Sequence, residues 1–383
     1  MHKAGRSLIP LAFLACLNPS APADPLPQEC AYGRSVPPTD VPQCLYARGL
    51  LKAADRDTAI QVLTGAAAAE TRFRSDSGIA NFHKASELTR ALAHIQEYYS
   101  RGLFEDSARF HRLLDHVLVT IEYVSDTTLH YDAGGHAWPS TTPYLAWVYY
   151  PSAGMHFQPV TTSQYVVSVV PKPTVPTDSL VGIAEHLYEY AVWRDRSGLR
   201  FPVWEYQFTW TSGGITDIAP WVSGMAQGLV LETFAAAFQR TGDPMWLRRS
   251  REVLNSYRVN WDEGGVLLPD TSHGFWWEEF NPVVRVWNGS VQALVAVGYF
   301  WQVTGDSSAK RMFDRGLEAL RFYTPLYDTG NWTLYSLTQG YNSVAYHKYE
   351  IALLDTLAAM SGDPWCKETA DRWRTYTPPP GVR

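Results

Sequence analysis

Apolar residues recur at three- and four-residue spacing through 53–70, 84–99 and 105–123, the period of helices that turn one face to a core. Between 131 and 176 that period dissolves into Pro, Gly and aromatic residues, with a β-branched run at 165–170 that predicts a short strand among loops. The helical period returns at 223–240, 289–304 and 344–360, now apolar on most sides with small residues interspersed, as suits helices enclosed between two layers. The stretches 245–258 and 308–322 are amphipathic instead.

A repeat punctuates these helices. Thr241-Gly242-Asp243-Pro244, Thr304-Gly305-Asp306 and Ser361-Gly362-Asp363-Pro364 follow one another at intervals of about 60 residues, each closing an apolar helix and opening another. Gly ends the first helix, Asp caps the second and Pro fits its first turn, so each unit reads as a helical hairpin. A succession of inner and outer helices predicts a mainly α fold, an α/α toroid or incomplete α/α barrel of helical hairpins with short β segments in its loops. Such a fold gathers the loops that precede its inner helices at one end, the expected functional face.

The ends of the chain read differently. Residues 1–23 join Lys3 and Arg6 to an apolar stretch and finish in Ala21-Pro22-Ala23, the pattern of a cleavable signal peptide that directs a chain to secretion or the periplasm. The rival reading, a lipoprotein beginning at Cys16, has Phe13 and Leu14 at unsuitable positions. Residues 24–44 are rich in Pro and predict a tether or an extended strap over the surface, followed by a folded body over 45–377 and a tail at 378–383. No long apolar run after the leader predicts a membrane span. Cys30 and Cys44 are close enough in sequence to pair in an oxidising compartment, which leaves Cys366 as a buried thiol.

Net charge of -6 and a pI near 6.0 argue against a nucleic-acid partner. CxxC, HExxH and EF-hand patterns are absent from the sequence, so it predicts no metal site. Fifteen Trp and 22 Tyr point to a core or groove lined with rings, the latter typical of proteins that handle sugars. Three segments ahead of the inner helices concentrate these aromatics with a few acids: 201–221, 274–287 and 327–347. In Trp276-Trp277-Glu278-Glu279-Phe280-Asn281-Pro282, carboxylates stand among rings that would desolvate them, raise their pKa and let them trade protons near neutrality. Tyr327, Tyr335, Tyr341 and Tyr346 crowd the third segment, beside Asp328 and His347. Tyrosine suits a reaction that removes a proton next to a carboxylate and must stabilise the resulting enolate.

These motifs have a counterpart. Pro220-Trp221-Val222-Ser223-Gly224-Met225-Ala226-Gln227-Gly228, Trp277-Glu278-Glu279-Phe280-Asn281-Pro282 with Asn288-Gly289, Pro325-Leu326-Tyr327-Asp328-Thr329-Gly330 and Tyr346-His347 resemble, in order and spacing, the C-terminal domain of the D-glucuronyl C5-epimerases. The resemblance covers 180–377, and Gly154-Met155-His156-Phe157-Gln158-Pro159 with Gln164-Tyr165 is a fainter upstream echo. It implies an α/α toroid that inverts C5 of a hexuronic acid within an acidic polysaccharide, D-glucuronate to L-iduronate, without a redox cofactor. It also implies a homodimer paired through this domain. Glu279, Tyr335 and Tyr346 align with the family's catalytic residues, Glu279 and Tyr346 as the opposed pair and Tyr335 as a positioning or shared base. Trp221, Gln227, Trp277, Glu278, Phe280, Asn288, His347 and Tyr165 become candidate substrate contacts.

Departures narrow the expectation. A β-rich domain found in the animal enzymes has only 166–180 in its place. Phe280 stands where a tyrosine usually follows the catalytic glutamate, and Thr338 and Ser343 lie where arginines would be expected, which argues against a heparosan-like polyanion. Arg285, Arg194 and Arg200 are the candidate replacements for those cations. Three alternatives stay open: a polysaccharide lyase sharing the first step, a glycoside hydrolase pairing Glu279 with Glu205 or Asp217, and a carbohydrate-binding protein.

Overall fold

The structure, a computed structural model, describes residues 26–76, 78–125, 135–212, 214–268 and 272–383; the leader expected over 1–23 lies outside them. The described residues fold mainly as α-helix, with short strands between. No described helix is long and apolar enough to cross a membrane.

Four helices come first: α1 (Val41–Ala47), α2 (Ala53–Ser75), α3 (Ile79–Ser100) and α4 (Ser107–Ser125). Their apolar stripes close on a core of Leu45, Leu63, Ile95, Phe110 and Leu113. Of the two arrangements expected for the proline-rich segment, the strap describes it from Cys30 onward, because Cys30, Val36 and Val41 are buried in that same core. A Cys30–Cys44 disulfide locks it, the Cys30 carbonyl accepts from Arg48 (2.7 Å) and Tyr99 (2.5 Å), and the Ser100 carbonyl accepts from Gly33 (2.9 Å). Apolar side chains interleaved with the prolines bury surface that holds the segment down.

An antiparallel sheet follows, ordered β1 (His136–Ala137), β2 (Trp147–Tyr150) and β3 (Gly154–Phe157), with Trp147 opposite Phe157 and Tyr150 opposite Gly154. Here the strand expected at 165–170 is corrected. Gln158 caps, and Pro159 starts, the short helix α5 (Pro159–Gln164), which runs into a turn in which the Ser163 carbonyl accepts from Val166 (3.0 Å) and Val167 (2.9 Å). Val166 and Val167 are fully buried, so the β-branched residues serve the core from a turn. After α6 (Thr177–Tyr190), β4 (Val192–Arg196) pairs with β5 (Leu199–Val203). Next, β6 (Glu205–Tyr206) and β9 (Trp221–Val222) enclose the hairpin β7 (Trp210–Ser212) and β8 (Ile215–Asp217).

The repeat then yields three helical hairpins: α7 (Gly224–Thr241) with α8 (Pro244–Asn255), α9 (Trp287–Thr304) with α10 (Ser307–Tyr323), and α11 (Val344–Ser361) with α12 (Pro364–Arg374). Each turn works alike. Gly242, Gly305 and Gly362 take left-handed backbone at φ 70, 69 and 70°. Asp243, Asp306 and Asp363 accept from backbone N–H groups two residues on, at 2.8, 2.9 and 3.1 Å, each such cap contributing about 1 kcal/mol. The first residue of the motif contributes as well, since the Thr241, Thr304 and Ser361 hydroxyls accept from the capping Asp N–H while donating one turn back. Helices α7, α9 and α11 pack in a row, with α8, α10 and α12 each packed on its partner. The main core runs along this row through Leu229, Phe234, Leu294, Phe300 and Leu354, and Cys366 is buried in it as expected.

Candidate active site

The loops preceding α7, α9 and α11 meet at one end of the row and, with α5 and β2, enclose a cavity of about 500 Å³. Its wall is aromatic, formed by Tyr150, Tyr206, Phe208, Trp210, Trp221 and Phe280, and its polar groups are Gln158, Gln164, Ser223, Glu279, Asn288, Tyr335, Tyr346 and Tyr349. Glu279 is the only carboxylate lining it, and no Lys, Arg or His does so among the described residues.

The tryptophan and glutamate run is a braced loop. Trp276, Trp277 and Glu278 are buried, and the Glu278 carboxyl accepts from the backbone of Glu279 (3.0 Å) and Val286 (3.3 Å) and from the Trp276 indole (3.3 Å). Burial pushes it up to about 8, so it braces the loop as a largely neutral group. The first turn of α7 docks on the same loop, with Gly224 N–H donating to the Glu278 (2.8 Å) and Glu279 (3.0 Å) carbonyls. Glu279 therefore leaves a fixed backbone and lies across the start of α9. Only a glycine at 289 leaves it room, since a Cβ there would stand 2.1 Å from Glu279 Oε2. That oxygen is buried without a hydrogen-bond partner, and burial pushes the carboxyl up to about 7. Such a carboxyl exchanges protons readily at neutral pH.

Four phenols sense the Glu279 charge. Tyr206, Tyr335, Tyr346 and Tyr349 are all raised, first by burial and then by that carboxylate among their neighbours, so each keeps its proton and serves as a donor. Tyr335 and Tyr346 meet edge to face at 5.4 Å. Tyr346 stands in the first turn of α11, which Ser343 caps by accepting from its N–H (3.2 Å), and it is half exposed at the cavity mouth. One turn on, Tyr349 donates to Gln292 (2.5 Å), which donates to the buried Glu232 (3.1 Å), linking the cavity through all three inner helices. Across the cavity, Gln158 accepts from Tyr206 (2.6 Å) and donates to Tyr150 (2.7 Å), while Tyr206 stacks flat on Trp221 at 4.0 Å.

Of the residues singled out from sequence, Glu279, Tyr335, Tyr346, Trp221, Phe280 and Asn288 come together here. The others do not line this cavity. Gln227 is buried in α7, bonded to Pro202, Trp204 and Ser256; Trp277 donates to the Tyr257 carbonyl; and Glu278 braces its own loop. His347 stacks on Trp332 at 3.9 Å with both ring nitrogens engaged, by Thr333 and the Trp373 carbonyl. Tyr165 lines a separate cavity with Trp138 and Tyr144. The arginine replacements also lie elsewhere: Arg285 sits over Tyr323, Arg200 over Trp193, and Arg194 binds Glu205 (2.7 Å).

Neither acid weighed as a partner for Glu279 reaches it. Burial would raise Glu205, but Arg109 and Arg194 outweigh that and hold it down at about 2, a permanent anion within an ion-pair cluster. Asp217 accepts from Asn281 (2.9 Å) and lines a neighbouring cavity. Sequence reasoning missed Tyr150, Tyr206, Trp210 and Tyr349 as cavity residues. For Tyr349 a signal existed, because it lies three residues after Tyr346 on one helix face.

Residues 198–375 match the family described as the D-glucuronyl C5-epimerase C-terminus. Over 187 residues the chain is 27% identical to an uncharacterized protein of Methanocaldococcus jannaschii, covering 47% of this chain and 59% of that protein. Over 177 residues it is 28% identical to the D-glucuronyl C5-epimerase of Caenorhabditis elegans, covering 41% of this chain and 29% of the worm protein. The matched stretch includes Tyr206 through Tyr349 of the cavity, whereas Tyr150, Gln158, Val160 and Gln164 precede it.

Proposed function

Since residues 198–375 belong to the D-glucuronyl C5-epimerase C-terminal family, we propose that this chain inverts C5 of a hexuronic acid within a polysaccharide. The observation that carries the reading is Glu279, an unpartnered carboxylate with a pKa near 7 in an aromatic cavity, faced by protonated tyrosines. The Glu279 carboxylate takes the C5 proton, and the electron pair left behind spreads into the C6 carboxylate as an enolate. The Tyr346 phenol returns a proton to C5 from the opposite face, leaving Glu279 protonated and Tyr346 as phenolate until solvent exchange resets both. Asn288 and Tyr335 offer neutral hydrogen bonds to the enolate oxygens, the preorganised stabilisation such a step requires.

A single acid lining the cavity favours this reading over hydrolysis, which needs two carboxylates across the sugar ring. The absence of cationic side chains among the described lining residues points to a glycan whose uronates are spaced by neutral sugars rather than a dense polyanion. The chain works in a secreted or periplasmic setting, which the leader pattern and the Cys30–Cys44 disulfide support. The test is incubation in deuterated water with a panel of uronic-acid polysaccharides, following deuterium at C5 by NMR and double-bond formation by ultraviolet absorbance. Deuterium at C5 of an inverted sugar without absorbance is the expected result. Absorbance assigns a lyase, and silence in both channels overturns the assignment.

A further inference from the structure

We propose that the chain carries a second functional centre, a divalent transition-metal site suited to Zn²⁺, built by His94 of α3, His116 of α4 and His156 of β3. One ring nitrogen of each lies within 4.8 Å of the others. Ring centroids are 5.4 Å apart for His94 and His116, 5.3 Å for His94 and His156, and 4.2 Å for His116 and His156. Zn–N bonds of about 2.0 Å in a tetrahedral shell require nitrogens about 3.3 Å apart. Closing from the present separations asks for no more than about 1.5 Å, within the reach of imidazole ring rotation.

The hydrogen bonding of the cluster leaves ring nitrogens free to act as ligands. Nδ1 of His94 and Nδ1 of His116 are buried and have no partner, an arrangement that costs free energy in an apolar interior. His156 directs Nε2 at the Ala153 carbonyl (3.1 Å); since a carbonyl only accepts, Nε2 carries the proton and Nδ1 keeps its lone pair. An outer carbonyl fixing the tautomer in this way is the common support of a metal-binding histidine. All three histidines feel the charge of Arg90, which is paired with Glu87 at 3.1 Å, and Glu97 sets an opposing charge beside His94. Three imidazoles leave the fourth tetrahedral position for water, and His94, partly exposed, marks the side of entry.

The site has a bearing on the cavity without depending on the reaction assigned to it. The His156 ring packs on Phe208 at 4.6 Å, Phe208 packs on Tyr150 at 4.4 Å, and both line the cavity. Strand β3 leads from His156 to Gln158, which holds Tyr150 and Tyr206. An ion joining α3, α4 and β3 would thus hold the cavity wall from behind. All three histidines precede the stretch matched by the family.

The full chain, made without a polyhistidine tag and stripped with chelator, is titrated with Zn²⁺ by calorimetry and with Co²⁺ by visible absorption. The expected result is one equivalent bound with tetrahedral Co²⁺ bands, and affinity reduced at least about 100-fold in His94→Asn, His116→Asn and His156→Gln. His136→Asn, at an exposed histidine, leaves binding unchanged. Because the buried substitutions can compromise folding, zinc-edge X-ray absorption on the loaded, unsubstituted chain counts imidazole ligands directly, with three expected. No saturable binding of either ion, fewer than three imidazoles, or binding undiminished in the three variants overturns the proposal.

Discussion

Gly289→Ala separates the placement of Glu279 from the stability of the fold. An alanine Cβ at this position would lie 2.1 Å from Glu279 Oε2 and 2.7 Å from its Cβ and Cδ, far inside van der Waals contact. Oε2 must retreat by more than about 1 Å to restore an ordinary separation. Displacing a reacting group by that distance costs on the order of 100-fold in rate, or about 2.7 kcal/mol of transition-state stabilisation. The helix itself gains, because Ala over Gly is worth up to about 1 kcal/mol in α9. The expected variant is folded, with a Tm lowered by the shift that the backbone-anchored Glu279 Cβ must make offset against the helix gain, and about 100-fold slower in C5 deuterium incorporation. Activity within about threefold of the unsubstituted chain in a folded variant would refute both the placement of Glu279 and its role.

Three further outcomes follow from the same geometry. Glu279→Gln removes a carboxyl whose folded pKa, about 7, is raised above its ordinary value of 4.5, so the stability tied to its protonated form is present below 4.5 and lost as pH rises through 7. The Tm of Glu279→Gln relative to the unsubstituted chain should accordingly climb between pH 4.5 and about pH 7 and level off above it, and a flat difference would deny the raised pKa. Tyr346→Phe should lose inversion by about 10²- to 10⁴-fold while still washing deuterium into C5 of the D-sugar, because Glu279 can return the proton it took; loss of exchange together with inversion would move the base role to Tyr346. Glu205→Gln strands the buried Arg109 and Arg194 guanidiniums and should destabilise by about 3–5 kcal/mol in denaturant titrations with kcat nearly unchanged in the folded fraction, whereas a large kcat loss would reinstate Glu205 in the chemistry.

Much of the helical framework is legible in the chain. The three Thr/Ser-Gly-Asp turns are local devices in which backbone sign, cap and side-chain acceptor all sit within four residues, so they read alike in sequence and in structure. The run at 165–170 misleads because β propensity reports fit to a half-buried surface, and Val166 and Val167 find that burial in a turn after the cap at Gln158. In the site, Glu279, Tyr335 and Tyr346 come from motif order, while Gln227, Trp277, Glu278 and His347 share those motifs without facing the cavity. Adjacent residues on a loop point to opposite sides, so a motif names its neighbours of the chemistry along with its members. Glu278 and Glu279 are the clearest instance: one is sealed behind the Trp276 indole, and the next opens into the cavity.

By itself the sequence determined the mainly α class, the hairpin repeat and the enrichment of rings and acids ahead of the inner helices, because each depends on residues near one another along the chain; it left open whether Cys30 and Cys44 pair, which the structure shows. Tertiary structure alone decided which carboxylate is unpartnered and poised near 7, that Glu205 is held by two arginines as a permanent anion, and that Gln158 from one loop joins Tyr150 and Tyr206 from two others. It also brought together His94, His116 and His156, which no local spacing connects. Desolvation and charge pairing depend on what packs against a group from distant elements, and no pattern along the chain encodes that proximity.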